Sequence, residues 1–157
     1  MSRVKVLLAV AVLAGTAAGV AAADAVTADL KSFKWKAAFE GGDALGGYDE
    51  GQDRFTFYTN GTATGEVTLP DDGEYTITVE AACDEAKKVF AAFKLSVGDV
   101  VVAKEHFLKD TDKKAYTLTA KLKKGKQNLV IEFLNDEYKE NEYDRNLYVH
   151  SVKLEKK

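Results

Sequence analysis

The sequence predicts an all-β fold, a β-sandwich of the jelly-roll type. Apolar and polar residues alternate with a period of two in eight or nine short segments, which is the pattern of half-buried strands. Turn residues separate these segments at short intervals, and no segment has the period of an amphipathic helix. The single proline, Pro70, stands in a turn, where it interrupts no strand.

The predicted strands follow one another with glycine, asparagine or aspartate between them. Phe33, Trp35 and Ala37 form the apolar face of the first strand, and residues 75–81 have the most regular alternation in the chain. In chain order, the predicted strands are 33–39, 55–57, 63–69, 75–81, 89–97, 100–107, 116–122, 129–134 and 147–154.

Three local features add detail to this series. Asn60-Gly61 predicts a tight turn after the second strand. Residues 41–52 contain five glycines and three acidic residues, so this stretch is predicted to be a loop. The last strand changes phase between Val149 and Val152, which predicts either a β-bulge or a strand that is buried on both faces.

Residues 1–23 have the pattern of a secretory signal peptide. Arg3 and Lys5 precede an apolar run, and a series of small residues ends at Ala23, where we expect cleavage. Residues 24–32 are then expected to form a short linker or an edge segment, and residues 33–157 a single β-sandwich domain. The protein is therefore expected to be secreted, periplasmic or extracellular, with no membrane anchor after cleavage.

The composition argues against two classes of protein. The formal net charge of −3 and the lack of a basic stripe argue against nucleic-acid binding. Cys83 is the only cysteine, so an internal disulfide is not possible. We therefore expect stability to come from the core of the sheets, helped by bound metal.

An acidic segment, residues 135–146, separates two predicted strands and contains five carboxylates. The flanking strands predict a hairpin with Asp136 and Asp144 near the two ends of its loop. Paired strands lie about 4.8 Å apart, so these carboxylates would repel each other unless a cation or a proton lies between them. The segment offers oxygen ligands and neither His nor Cys, which points to calcium. A solvated hairpin tip is the alternative.

A hairpin loop alone supplies only part of the roughly 6–8 oxygen ligands that calcium takes. Asp84 and Glu85 follow another predicted strand and can face the same edge of a sandwich, so they are candidates for further metal ligands. A polar turn without a metal role is the alternative at these two positions.

The sequence Phe-Leu-Asn-Asp at 133–136, followed by Asp-Arg-Asn-Leu-Tyr-Val at 144–149, resembles the C-terminal signature of calcium-dependent, xylan-binding carbohydrate-binding modules of families 60 and 36. Weaker similarity lies in residues 58–61, 73–81 and 125–133, so that the resemblance covers roughly residues 54–155. The chain departs from the family at His150, where an aspartate is common.

The resemblance implies that calcium is held by the acidic segment and coordinates two neighbouring hydroxyls of a sugar. It also implies that the backbone carbonyl of Tyr143 joins Asp136 and Asp144 as a metal ligand. Oxygen would be exchanged for oxygen when sugar hydroxyls displace water from the metal. The expected partner is a polysaccharide or oligosaccharide.

Several side chains near this metal are candidates for ligand binding. Asn135, in the acidic segment, is one candidate for ligand binding. Arg145 can donate hydrogen bonds to a sugar or form an ion pair with a neighbouring carboxylate, and Asn146 can bind ligand or tie the segment to the next strand. Tyr138, together with Tyr58, can stack on a pyranose face or pack at the edge of the sandwich.

Two other function classes remain in view. An exported structural or cell-surface sandwich would use calcium only for stability. A glycosidase would need a pair of carboxylates in a cleft with one of them kept protonated, and the acidic segment is too short to build such a cleft. His106 and His150 form no recognisable triad. The sequence therefore predicts a binding module and not an enzyme.

Overall fold

The computed structural model describes residues 25–157. The predicted signal peptide, residues 1–23, lies outside the described residues. Within residues 25–157 the helices are two 3-10 turns, Leu30–Ser32 and Asp43–Leu45. No helix in this part of the chain is long and apolar enough to cross a membrane.

Thirteen strands account for most of the described chain. In order they are β1 (Val26–Thr27), β2 (Lys34–Ala37), β3 (Gly46–Asp49), β4 (Arg54–Phe57), β5 (Gly61–Leu69), β6 (Gly73–Cys83), β7 (Ala92–Val97), β8 (Val100–Phe107), β9 (Lys114–Leu122), β10 (Gly125–Phe133), β11 (Tyr138–Lys139), β12 (Tyr143–Asp144) and β13 (Leu147–Lys156).

Two antiparallel sheets pack face to face and form the predicted β-sandwich of the jelly-roll type. Sheet I has the order β3-β4-β13-β6-β9, with β1 paired to the far end of β13. Sheet II has the order β2-β5-β10-β7-β8. The alternation along each strand places one apolar face between the sheets, as in β6, where every second residue is buried.

An aromatic cluster fills the core at the end of the sandwich that carries the acidic segment. The rings of Phe55 and Phe57 are 5.1 Å apart between centroids, and Phe57 lies 6.4 Å from Phe133. Trp35 packs edge-on against Phe57 at 5.5 Å. Burying each of these side chains contributes about 2 kcal/mol. The cluster therefore fixes the end of β4, which residues 58–60 follow, and the end of β10, which the acidic segment follows.

The prediction that the strands on either side of the acidic segment pair as a hairpin is wrong. β10 belongs to sheet II and β13 to sheet I, so the two strands face each other across the core and do not pair. Alternation shows which face of a strand is buried, but two strands in opposite sheets have the same pattern as two paired strands. The acidic segment instead crosses the end of the sandwich and forms its own small hairpin between β11 and β12.

The predicted loop at 41–52 contains a strand that the sequence pattern did not reveal. β3 pairs with β4, although it begins with two glycines and has no alternating apolar face. A Cβ on Gly46 would lie 2.5 Å from the Trp35 ring, so only glycine leaves room for that ring. The predicted irregularity in the last strand is confirmed as a bulge, because the pairing of β13 with β6 shifts between Val149 and Ser151.

Candidate functional site

A cavity of about 370 Å³ lies at the end of the sandwich, under the β11–β12 hairpin. Asp136 enters it from the chain that follows β10, and Asp144 enters from β12, directly opposite Tyr138 in the hairpin register. The structure thus brings together four of the residues predicted for the site, the two aspartates and Tyr58 and Tyr138. The cavity is lined by Leu45, Tyr58, Thr59, Asp136, Tyr138 and Asp144.

Asp136 is held in place by the segment between β4 and β5. Its backbone N–H donates to the Asn60 side-chain oxygen at 2.8 Å. Its Oδ2 accepts a hydrogen bond from the Thr59 hydroxyl at 3.0 Å, whereas its Oδ1 is buried and has no hydrogen-bond partner. An unpaired buried carboxylate oxygen costs free energy unless a donor or a cation reaches it.

The electrostatics of Asp136 indicate the same need for positive charge. Burial raises the pKa of Asp136 above its ordinary value, and the charge of Asp144 raises this pKa further. The Thr59 hydrogen bond and the more distant charge of Arg145 lower the pKa of Asp136, but they do not cancel the rise. A divalent cation between the two carboxylates would relieve both the burial cost and the repulsion.

Two of the other three carboxylates of the acidic segment have counter-charges. Glu137 pairs with Lys87 at 2.5 Å, and Glu142 pairs with Lys139 at 2.5 Å. Among residues 25–157, neither Asp136 nor Asp144 takes part in an ion pair. Asp136 and Asp144 therefore differ from Glu137 and Glu142 in having no counter-charge, and from the exposed Glu140 in lining the cavity.

Arg145 is buried and does not face the cavity, which argues against the predicted ligand-binding role. Only 5% of its surface is exposed. Its Nε donates to the Val89 carbonyl at 2.9 Å and its Nη2 to the Ala86 carbonyl at 2.6 Å, while its Nη1 donates to the carbonyl of Asn135. These bonds replace the ion pairs considered from sequence, and they fasten the acidic segment to residues 86–89.

The side chains of Asn135 and Asn146 are likewise used inside the protein. Asn135 accepts a hydrogen bond from the Ala92 backbone at 2.7 Å and donates to the Phe90 carbonyl at 3.0 Å. Asn146, which is 5% exposed, donates to the Asp84 carboxylate at 3.1 Å. Both side chains hold the two ends of the acidic segment against neighbouring strands, and neither lines the cavity.

Asp84 and Glu85 are also absent from the cavity, so the structure does not bring them together with the Asp136–Asp144 pair. The Asp84 carboxylate accepts hydrogen bonds from Asn146 and from the Tyr148 hydroxyl, and burial together with this bond raises the pKa of Tyr148. Glu85 is exposed to solvent. The alternative of a polar turn describes these two residues better.

Tyr143 lies next to Asp144 in β12, and its ring packs 5.2 Å from the Lys87 ammonium. Its backbone carbonyl as a metal ligand stays a prediction. Across residues 25–157, no group of three or more His, Cys, Asp and Glu side chains is close enough to hold a metal ion. Protein side chains can thus supply only part of a calcium shell here.

Sequence reasoning did not assign roles to Thr59 and Asn60, which position Asp136. The register explains their place: Gly61 at the start of β5 pairs with Phe133 at the end of β10, so residues just before Gly61 lie beside those just after Phe133. The sequence predicts a turn at Asn60-Gly61 and a stacking role for Tyr58, but neither prediction places this segment beside Asp136. The feature of the sequence that could have indicated their role is the position of two polar residues, Thr59 and Asn60, directly before a buried strand.

The donor set fits calcium. Asp136 has a buried oxygen that no protein group satisfies, and Asp144 lines the same cavity with a second carboxylate. Both are hard oxygen ligands, and neither His nor Cys lines the cavity. Backbone carbonyls, water and ligand oxygens would have to complete the roughly 6–8 positions.

Comparison with known proteins gives a family. The model of family CBM60, described as a Ca-dependent, xylan-binding carbohydrate-binding module, matches residues 76–157, which is slightly more than half of the chain. The chain therefore belongs to this family, as the resemblance in its sequence predicted. Members of such families are binding modules and not enzymes, which agrees with the prediction of no catalytic activity.

Solved structures of other carbohydrate-binding modules share the fold. The CBM36-1 domain of a multidomain xylanase from the hindgut metagenome of Trinervitermes trinervoides has a TM-score of 0.60 at 10% identity, over 83% of this chain and 96% of that chain. A CBM36 module in complex with calcium and xylotriose has a TM-score of 0.55 at 15% identity, over 82% and 98%.

A family 35 module from Clostridium thermocellum has a TM-score of 0.54 at 14% identity, over 84% of this chain and 98% of that chain. At these identities the likeness concerns the fold alone. No curated protein sequence matches the chain.

Proposed function

We propose that this member of the CBM60 family binds a xylan-like polysaccharide in a calcium-dependent way, at the cavity lined by Asp136 and Asp144. The observation that carries the proposal is the buried, unpartnered Oδ1 of Asp136 beside a second carboxylate. The family description, Ca-dependent and xylan-binding, supports the same ligand and the same ion.

Asp136 and Asp144 would hold the ion, with the carbonyl of Tyr143 as a further candidate ligand. When bound, calcium supplies positive charge and coordination positions that two neighbouring sugar hydroxyls can fill in place of water. Thr59 and Asn60 keep the Asp136 carboxylate in the cavity before any ligand arrives. The protein thus spends little free energy on ordering the site when it binds.

Apolar surface beside the carboxylates would pack against a C–H-rich face of the sugar whose hydroxyls bind the calcium. Tyr58 is 43% exposed and Tyr138 is 65% exposed, and both line the cavity together with Leu45. A pyranose has polar edges and C–H-rich faces, so the carboxylate side and the tyrosine side of the cavity match different parts of one sugar unit.

Calcium used only for stability is the second candidate function. Asp136 and Asp144 come from opposite ends of the acidic segment, so a shared ion would also brace the β11–β12 hairpin. This alternative predicts calcium binding without any effect of polysaccharide.

We also propose that residues 1–23 are a secretory signal that is cleaved. A binder of an extracellular polysaccharide has to be exported to meet its ligand. Detection of the protein outside the cytoplasm, with a mature N-terminus near Asp24, would test this part.

Isothermal titration calorimetry with xylooligosaccharides tests the binding function. We expect heat of binding in calcium and none in excess chelator. Asp144→Ala should lose it, while Glu140→Ala should keep it, because Glu140 is an exposed carboxylate of the same segment that does not line the cavity. Calcium binding without binding of any polysaccharide would favour the stability role instead.

A further inference from the structure

We propose a second sugar subsite beside the first, on the outer face of sheet I above the pair formed by Gly47 and Thr56. The inference rests on the proposed function, and its occupant is the next unit of the same glycan chain. A shallow depression of about 270 Å³ lies there between β3 and β4, and its lining includes Ala44, Asp49 and Tyr58.

The two cavities are neighbours with a common wall. Tyr58 lines both of them, and its ring is partly exposed. Leu45 lines the first cavity, and the adjacent Ala44 lines the second. The backbone N–H of Tyr58 donates to the Leu45 carbonyl at 3.0 Å, which holds this shared wall to the start of β3. A glycan leaving the first cavity past Tyr58 therefore meets the second.

The floor of the depression is open because one strand position has no side chain. Gly47 pairs with Thr56 in the β3–β4 register. Its φ of +144° is a conformation that L-residues rarely adopt, and a Cβ built on it would meet nothing within 4 Å. Glycine is thus required by the backbone, and its absent side chain leaves space above the sheet.

A polar group without a partner lies in the same floor. Thr56 is only 2% exposed, and its Oγ1 has no hydrogen-bond partner. A hydroxyl is both donor and acceptor, so it can bond with a hydroxyl of a sugar unit seated over Gly47. Buried polar groups in proteins are normally satisfied, and the orphan hydroxyl marks where a ligand oxygen would be accepted.

The charges of both cavities define the class of glycan. The first contains Asp136 and Asp144, the second contains Asp49, and no Lys, Arg or His lines either one. A uronic acid at the second subsite would meet a carboxylate without a counter-charge. The subsite therefore fits a neutral sugar unit, such as an unsubstituted unit of the xylan backbone.

The test measures calorimetric affinity in calcium for xylose oligomers of one to four units. In the native protein, affinity should rise when the ligand becomes long enough to span both cavities. Ala44→Ile places bulk at the edge of the second cavity and should reduce affinity for the longer ligands to that for the short ones. Ala115→Ile makes the same change at an exposed position of β9, the opposite edge of sheet I, and should have no effect.

Thr56→Val removes the orphan hydroxyl and keeps the shape of the side chain. It should weaken binding of the longer ligands by about fivefold, leave the shortest bound ligand unaffected, and not lower the melting temperature.

Equal affinity at all ligand lengths, or identical behaviour of Ala44→Ile and Ala115→Ile, would overturn the second subsite and leave the proposed function intact. Failure of the native protein to bind any xylose oligomer would overturn both.

Discussion

Asp84 and Asp136 are half-buried carboxylates that follow strands at the same end of the sandwich, yet their surroundings differ. Asp84 accepts hydrogen bonds from Asn146 and Tyr148. Asp136 has one side-chain donor, Thr59, and its other oxygen is buried without a partner. Both residues were candidate metal ligands by sequence. We infer from this difference that a carboxylate's hydrogen-bond donors, and not its residue type, separate a structural role from the proposed metal-binding role.

The acidic segment itself also contains both kinds of side chain, those bonded inside the protein and carboxylates without an ion-pair partner. The buried guanidinium of Arg145 is bonded to three backbone carbonyls and fixes the segment to the sandwich. Asp136 and Asp144, on the cavity side, have no ion pair within the described part of the chain. We infer that one side of the segment stabilises the fold and the other binds ligand, and mutations should separate the two.

Asp144→Ala should produce the largest loss of binding. It removes one of two carboxylates from the cavity, so calcium-dependent binding of xylan should fall by about 100-fold or more. Because it also removes a repulsion on Asp136, the metal-free protein should keep its melting temperature. Asp84→Ala should do the reverse, with lower stability and calcium-dependent binding retained. Calorimetry and thermal unfolding on both variants would show whether this division holds; retained binding in Asp144→Ala would refute it.

Arg145→Met should produce the largest loss of stability. Three hydrogen bonds from the guanidinium to backbone carbonyls would be lost, at about 1 kcal/mol each, so the free energy of unfolding should fall by about 3 kcal/mol. Lys139→Met, which breaks only an exposed ion pair with Glu142, should cost less than about 1 kcal/mol. Urea denaturation measures both values. Similar small losses in the two variants would mean that the Arg145 bonds do not hold the segment.

Tyr148→Phe should have a smaller effect, because it removes one donor to the Asp84 carboxylate and leaves the other. We expect a loss of about 2 kcal/mol in the free energy of unfolding. In a double-mutant cycle with Asp84→Asn, the two losses should be strongly non-additive. Additive losses would show that this hydrogen bond is not the source of the effect.

The smallest expected effect is the contribution of Asp136 to the pH dependence of the free energy of unfolding. The pKa of Asp136 is raised in the folded protein, so between its unfolded and folded values the folded state binds more protons. The stabilisation of the metal-free protein by this group is therefore present at low pH and lost as pH rises through the raised pKa. Asp136→Asn should remove this part of the stability curve, and calcium affinity should decline as pH falls through the same range. An unchanged curve in Asp136→Asn would exclude this assignment.

Much of the fold could be predicted from the sequence because alternation is a direct consequence of a half-buried sheet. It located β6, β9 and β10 to within a few residues and indicated the bulge near Val149. It could not choose sheet partners, because strands 129–134 and 147–154 have the same pattern whether they pair or face each other. It missed β3, which begins with two glycines that carry no apolar signal: Gly46 leaves room for the Trp35 ring, and Gly47 has a positive φ.

The candidate site was predictable only in part, for a related reason. Charge density identified the segment that carries Asp136 and Asp144, but it could not show which polar side chains turn inward. Arg145, Asn135 and Asn146 bond to neighbours that are distant in sequence. Such contacts depend on how the sheets are assembled, which the local pattern does not contain.

Calorimetric titration of calcium into the metal-free protein at neutral pH would show whether Asp136 and Asp144 hold a calcium ion. We expect a saturable heat of binding in the native protein and in Glu140→Gln, and none from this site in Asp136→Asn or Asp144→Ala. Absence of that heat in the native protein, or an undiminished heat in Asp136→Asn, would contradict the claim that these two carboxylates hold a calcium ion.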